Sequence, residues 1–164
     1  MFHNRFKNLC CLLATGLWFG AELPAQHPAY RIEPVSLEQG VAHNFIQCLL
    51  QDRQGFLWLG TLFGLIRYDG YTYTTYRHDA GNPHSLSHDD ISALYEDDDG
   101  SLWIGTYGGG LNKFDPARGN FTRYLHKPSD SSSIAHDYVL SLCVDPISQD
   151  ILWVGTQDGL CKFD

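Results

Sequence analysis

Apolar and polar residues alternate over short runs along most of this chain, and turn-forming residues end each run. Within residues 90–125 the extended runs are Asp90–Glu96, Ser101–Gly105, Gly110–Phe114 and Phe121–Leu125. Asp97-Asp98-Asp99-Gly100, Thr106-Tyr107-Gly108-Gly109 and Asp115-Pro116-Ala117-Arg118-Gly119-Asn120 separate them, supplying the Asp-Gly and Pro-x-x-Gly chemistry of tight hairpins. None of these runs keeps a helical period over three turns, so each predicts a strand. A matching set precedes it at Phe45–Gln51, Phe56–Gly60, Leu65–Asp69 and Thr72–Tyr76. Three further runs follow at Tyr138–Val144, Ile151–Gly155 and Cys161–Phe163.

The sets are copies of one unit. Leu-Trp-x-Gly-Thr occurs at Leu57–Thr61, Leu102–Thr106 and Leu152–Thr156, each followed by Gly-Leu-x-[Arg/Lys]-aromatic-Asp, with the tryptophans 45 and 50 positions apart. Such a period is the mark of a repeat architecture. The connectors between units align without a gap, His78 with His126, Ser85 with Ser133 and His88-Asp89 with His136-Asp137, and two extra residues near Pro146–Asp150 account for the longer spacing. One four-stranded antiparallel unit cannot cover both its faces, and radial stacking does so. The expected fold is therefore all-β: an incomplete β-propeller of about two and a half four-stranded antiparallel blades. Blade 1 is assigned to residues 41–77, blade 2 to 78–125 and a truncated blade 3 to 126–164. Residues 26–40, with Tyr30-Arg31-Ile32-Glu33 at their centre, resemble a fourth strand and are assigned to closing the last blade of a full-length ring. Trp58, Trp103 and Trp153 are expected to pack between sheets, and the Gly-Thr after each to turn the chain where blades converge.

Residues 1–25 depart from this pattern. Arg5 and Lys7 precede the apolar stretch Leu9–Gly20, and Leu23-Pro24-Ala25 offers a cleavage site, which together predict a secretory signal peptide. The 12-residue apolar stretch would rise about 18 Å as a helix, short of the roughly 30 Å core of a bilayer. An exported chain could form disulfides, but Cys143 and Cys161 fall on the first and third strands of one sheet. Two strand steps separate them by about 9.6 Å, beyond the roughly 7 Å reach of a bridge. Buried free thiols are expected at Cys48, Cys143 and Cys161. The net charge of −8, without a basic stripe, argues against a nucleic-acid partner.

The connectivity brings the loops Arg77–Asp89 and Leu125–Asp137 to the same rim as Leu62-Phe63 and Tyr107-Gly108-Gly109, which makes that rim the recognition surface. Four residues are candidate ligand contacts. His43, His88 and His136 stand where each first strand enters the channel. They are read either as a ring of imidazoles around a ligand or as side chains bonding their own loops. Tyr107, carried on a glycine-rich loop that departs from its counterparts, offers a ring face with a polar tip to a sugar. Asp52, Asp97 and Asp145, like Asp69, Asp115 and Asp164, recur in every unit and read as turn caps, not as a unique catalytic pair. No catalytic residue, metal site or cofactor is assigned.

The pattern Ile91-x-x-Leu94-x-x-Asp97-x-x-Gly100-x-Leu102-Trp103-Ile104-Gly105-Thr106, followed by Gly-Gly-Leu-Asn-Lys-Phe-Asp, resembles the two-component regulator propeller repeat. So does Gln51–Thr61 with Gly64–Tyr71. The resemblance covers roughly residues 30–164. It implies the N-terminal periplasmic sensor part of a hybrid two-component histidine kinase, with an oligosaccharide or other extracellular small molecule as ligand. It also implies the remaining blades as intramolecular partners and allows a homodimer of the full-length protein. Kinase activity would reside in domains that no residue here matches, so the chain reads as non-enzymatic. The alternative is a fragment of a secreted propeller-fold enzyme such as a glycoside hydrolase. An arc of so few blades leaves apolar faces exposed, so this chain alone is expected to be aggregation-prone.

Overall fold

A computed structural model describes residues 31–33, 45–148 and 150–164. Every regular element among them is a strand: β1 Ile46–Gln51, β2 Leu57–Thr61, β3 Gly64–Tyr68, β4 Tyr73–Tyr76, β5 Ile91–Glu96, β6 Leu102–Thr106, β7 Leu111–Asp115, β8 Asn120–Tyr124, β9 Val139–Val144, β10 Leu152–Thr156 and β11 Gly159–Phe163. They form antiparallel sheets ordered β1-β2-β3-β4, β5-β6-β7-β8 and β9-β10-β11. The first strands β1, β5 and β9 lie side by side, so the sheets stack as adjacent blades. The sheets do not close into a ring, as expected of an incomplete β-propeller. Arg31–Glu33 carry no strand. The remainder of the assigned closing strand, the signal segment 1–25 and His43 lie outside the described residues.

Most strands begin and end within one residue of expectation; the difference with a physical cause is at Gly-Thr. Both residues belong to the second strand of each blade instead of turning the chain. Thr61 Oγ1 donates to the Gly64 carbonyl at 2.8 Å and accepts from Phe63 N at 3.0 Å, locking the hairpin from inside. Thr106 and Thr156 donate equivalently to Gly110 and Gly159. This bond draws Gly159 into pairing with Thr156 and starts β11 two residues before the predicted Cys161.

The glycine serves a different purpose. A Cβ on Gly105 would stand 2.7 Å from Val139 Cγ1 in the next blade, and one on Gly60 would stand 2.8 Å from Ile91 Cγ2. Each glycine is therefore a hollow that receives a β-branched side chain from the neighbouring inner strand. The first strand carries a register shift opposite each Gly-Thr, leaving Gln47, Ser92 and Leu140 unpaired in the ladder. Two of these bulged residues reach across to the next blade, Gln47 Nε2 to Asp90 Oδ1 and Ser92 Oγ to the Val139 carbonyl.

Apolar clusters fill both junctions. Trp58, Leu65, Ile91, Leu102, Ile104, Phe114 and Phe121 join blades 1 and 2. Trp103, Leu111, Ile134, Val139, Leu152 and Val154 join blades 2 and 3. Each buried tryptophan contributes about 2–3 kcal/mol relative to exposure. Every indole N–H among the described residues has a carboxylate: Trp58 Nε1 donates to Asp52 at 2.7 Å, Trp103 to Asp97 at 3.0 Å and Trp153 to Asp145 at 3.2 Å. The recurring aspartates thus cap turns and orient the core ring together. The basic residue after Gly-Leu-x covers the same rings, Arg67 at 5.9 Å from Trp58 and Lys113 at 5.0 Å from Trp103.

All three described cysteines are free, but the expected burial is not met: Cys48 and Cys161 are only partly buried, and Cys143 is exposed. It pairs with Trp153, on the face of blade 3 that no described residue covers. Cys48 is partly buried against Gly60, and burial pushes its thiol up to about 11.

Candidate functional site

The rim at the junction of blades 2 and 3 is built by the loop between β6 and β7. Its three glycines have distinct causes. Gly108 (φ 122°) and Gly110 (φ 70°) adopt left-handed backbone that side chains resist. At Gly109 a Cβ would stand 2.5 Å from Ser87 Oγ and 2.6 Å from His88 Cβ. So formed, the loop clamps the entry to blade 3: Gly108 N and Gly110 N both donate to the Asp137 carbonyl, at 3.1 and 2.8 Å. The Asp137 carboxylate in turn accepts from His126 N at 2.7 Å.

The clamp lays Tyr107 parallel to Tyr138, ring centroids 4.5 Å apart and planes 18° apart, with a backbone bridge between the two residues. His136 meets the Tyr138 ring edge-on at 4.8 Å. His88 flanks Gly108, since a Cβ there would lie 3.7 Å from His88 Nε2 and 3.3 Å from Tyr138 Cε1. Three of the four residues singled out by sequence therefore gather around Tyr138, and the fourth, His43, lies outside the described residues. Tyr138 is not among the residues that the sequence singles out, where it only begins a strand. Its signal was available: it holds the position that Asp90 holds in blade 2, an aromatic in place of an acid.

Both histidines bond their own loops. His88 Nδ1 accepts from Asp90 N at 3.1 Å, and His136 Nδ1 accepts from Tyr138 N at 2.9 Å. An acceptor nitrogen carries no proton, so each neutral ring is protonated on Nε2, which remains a potential donor. The arrangement offers an exposed aromatic face on Tyr107, phenolic hydroxyls and two imidazole N–H groups. Among the described residues no group of three or more His, Cys, Asp or Glu side chains could hold a metal ion.

The stacked sheets and this loop-built rim define a segment of a β-propeller. The model of the two-component regulator propeller matches residues 40–63 and 85–108. Two stretches of the chain thus match the two-component regulator propeller repeat. It is similar to the extracellular domain of the hybrid two component system BT3049 from B. thetaiotaomicron, at 28% identity and a TM-score of 0.73, over 80% of this chain and 18% of that one. It is also similar to the extracellular domain of the one component system BT4673 from the same organism, at 28% identity and a TM-score of 0.60, over 77% of this chain and 17% of that one. PorZ, a surface component of the type-IX secretion system of Porphyromonas gingivalis, shares the fold at 20% identity and a TM-score of 0.59, over 75% of this chain and 18% of that one. This chain therefore spans under a fifth of each solved chain. None of the curated proteins matches it.

Proposed function

We propose that the chain is a ligand-sensing propeller segment of an extracytoplasmic, periplasmic two-component sensor, and that the rim around Tyr107 and Tyr138 receives an oligosaccharide-type ligand. The similarity to extracellular domains of two component systems supports the first part, as does the signal peptide expected over residues 1–25. The observation that carries the second is the stacked Tyr107–Tyr138 pair flanked by His88 and His136. A sugar ring presents an apolar face to an aromatic plane and hydroxyls to donors around it, and this rim supplies both. The reading assigns no catalysis to the chain, since its recurring carboxylates are engaged with turns and indoles. The remaining blades and a homodimer belong to the same proposal for the longer protein.

The test is titration of the chain with a panel of neutral and acidic oligosaccharides, followed by tyrosine fluorescence and amide NMR shifts. Saturable shifts at Tyr107, Tyr138 and His136, with at least tenfold weaker binding in Tyr107→Ala, are expected. Shifts elsewhere, or Tyr107→Ala binding as the parent does, would sink the assignment of the site.

A further inference from the structure

His88 and His136 each follow a residue whose main-chain N–H is tied to the third strand of its own blade. In blade 2, Ser87 N donates to Asn112 Oδ1 at 3.0 Å. Asn112 Nδ2 donates back to Ser87 Oγ at 2.7 Å, so both ends of the amide engage one residue. The N–H of Ser87 can only meet an acceptor, which settles the end of the amide that carries oxygen. In blade 3, Ala135 N donates to Cys161 Sγ at 3.1 Å. Asn112 and Cys161 hold the same position of the repeat, and in blade 1 it belongs to Ile66, an aliphatic side chain that accepts no hydrogen bond.

Asn112 has no exposure, on a strand whose other buried residues, Leu111 and Phe114, are apolar. A polar group shut away from water costs stability unless it is bonded. Ile66 fills the equivalent place of blade 1 without that cost, so the amide serves more than the core. Its partner stands beneath the rim. Ser87 and His88 form the wall against which Gly109 lies, and the His88 ring flanks Gly108. His88 Nδ1 accepts from Asp90 N, and the Asp90 carbonyl accepts from Tyr107 N at 2.9 Å. Hydrogen bonds and close contacts therefore lead without a break from the Asn112 amide through Ser87, His88 and Asp90 to Tyr107.

We infer that Asn112 is a positioning residue of this rim: its buried amide fixes Ser87 and thereby sets the orientation of the His88 imidazole and the seat of Tyr107, without meeting a ligand itself. The inference rests on the reading of the rim as a ligand site. Side chains that contact a ligand keep their geometry when groups behind them lock their rotamers. A loop not held in this way loses its freedom only on binding, and affinity falls accordingly.

The repeat supplies the controls. Ser87→Ala with Asn112→Cys copies the pair of blade 3, Ala135 and Cys161, and keeps an acceptor on the strand. Ser87→Ala with Asn112→Ile copies the pair of blade 1, Ala42 and Ile66, and removes it. Both are made in the full chain and read by the His88 imidazole nitrogen shifts, the Asp90 and Gly109 amide shifts, and titration with the tightest-binding member of the panel of neutral and acidic oligosaccharides. The cysteine pair should keep a single Nε2-protonated tautomer at His88 and restore binding. The isoleucine pair should show averaged tautomers, a displaced Asp90 amide and about tenfold weaker binding. The Trp103 indole N–H shift should stay in place in both, since the blade junction is intact. In the unaltered chain the Ser87 amide should exchange slowly with deuterium, a check that needs no variant. Rapid exchange there, a parental His88 pattern in the isoleucine pair, or equal loss in both pairs overturns the inference. Should no oligosaccharide bind the parent chain, the ligand reading falls by itself, and the imidazole and amide shifts decide whether Asn112 positions His88.

Discussion

Trp103 and Trp153 hold the same place in the same pentapeptide, yet Trp103 is buried and Trp153 only half so. The leucines after them differ more, Leu111 with no exposure and Leu160 at 68%. Blade 2 has neighbours on both faces, whereas among the described residues blade 3 has one. The bulged positions follow the same division: Ser92 reaches the next blade, and Leu140, in the equivalent place, stands exposed. A repeat motif therefore specifies its sheet and its turns, while the energy stored in its core residues comes from the adjoining blade.

That contrast is testable by paired substitutions in the chain, read as urea midpoints. The largest difference is expected between Leu111→Ala and Leu160→Ala. Removing a fully buried leucine costs about 2–5 kcal/mol, whereas the exposed partner should move stability by no more than about 0.5 kcal/mol. Equal losses would mean that blade 3 is covered. Next come the glycine hollows. Gly105→Ala forces a methyl against Val139 and Ala93 and should cost about 1–3 kcal/mol. Gly155→Ala meets only the side chain and carbonyl of Ser141 in its own sheet, and rotation of that hydroxyl should leave well under half of the loss.

A smaller gap should separate Asp97→Ala from Asp145→Ala, about 1–1.5 against about 0.5 kcal/mol. The Trp103 indole loses its partner in a dry junction, while water can replace the longer bond at Trp153. Acid should bring the smallest effect per group. Asp69 is held below the ordinary carboxylate range by backbone N–H groups of Thr72 and Tyr71, Asp99 by Ser101, and Asp145 by Ser148 and Ile147; Asp115 is lowered by Arg118 and Asp130 by the Ser132 hydroxyl. Depressed folded-state values add stability above the unfolded value near 3.9 and surrender it as pH falls through the lower folded values. The urea midpoint should hold steady against these groups down to about pH 4 and then drop. Since such carboxylates occur in every unit, the blades should loosen together, and acid melting of blade 3 alone would break that expectation.

The blades, their strand order and the shared rim were legible in the sequence because period-2 alternation and Asp-Gly turns are local signals repeated three times. The purpose of Gly-Thr was not. Gly105 looks like a turn residue until Val139, 34 positions later, is seen pressing into it. The indole–carboxylate bond was half visible, since Asp52 and Asp97 each precede their tryptophan by six residues. Reading these acids only as turn caps hid it. Tyr107 stands out as a departure from the repeat, whereas His88 and His136 stand out as recurring at one position of it, and the fold brings them together; Tyr138, an aromatic where blade 2 has Asp90, carries a signal of the first kind, but its stacking on Tyr107 across blades is encoded by no local pattern.

The tethered indoles also make the molecule its own instrument. A chain beginning at Gln26 holds only three tryptophans, one per blade, each fixed by a carboxylate yet surrounded by different amounts of solvent. Trp58 and Trp103 should emit at short wavelength and resist quenching by iodide. Trp153 should emit further to the red and be quenched, until a partner sheet settles over it and turns its colour blue.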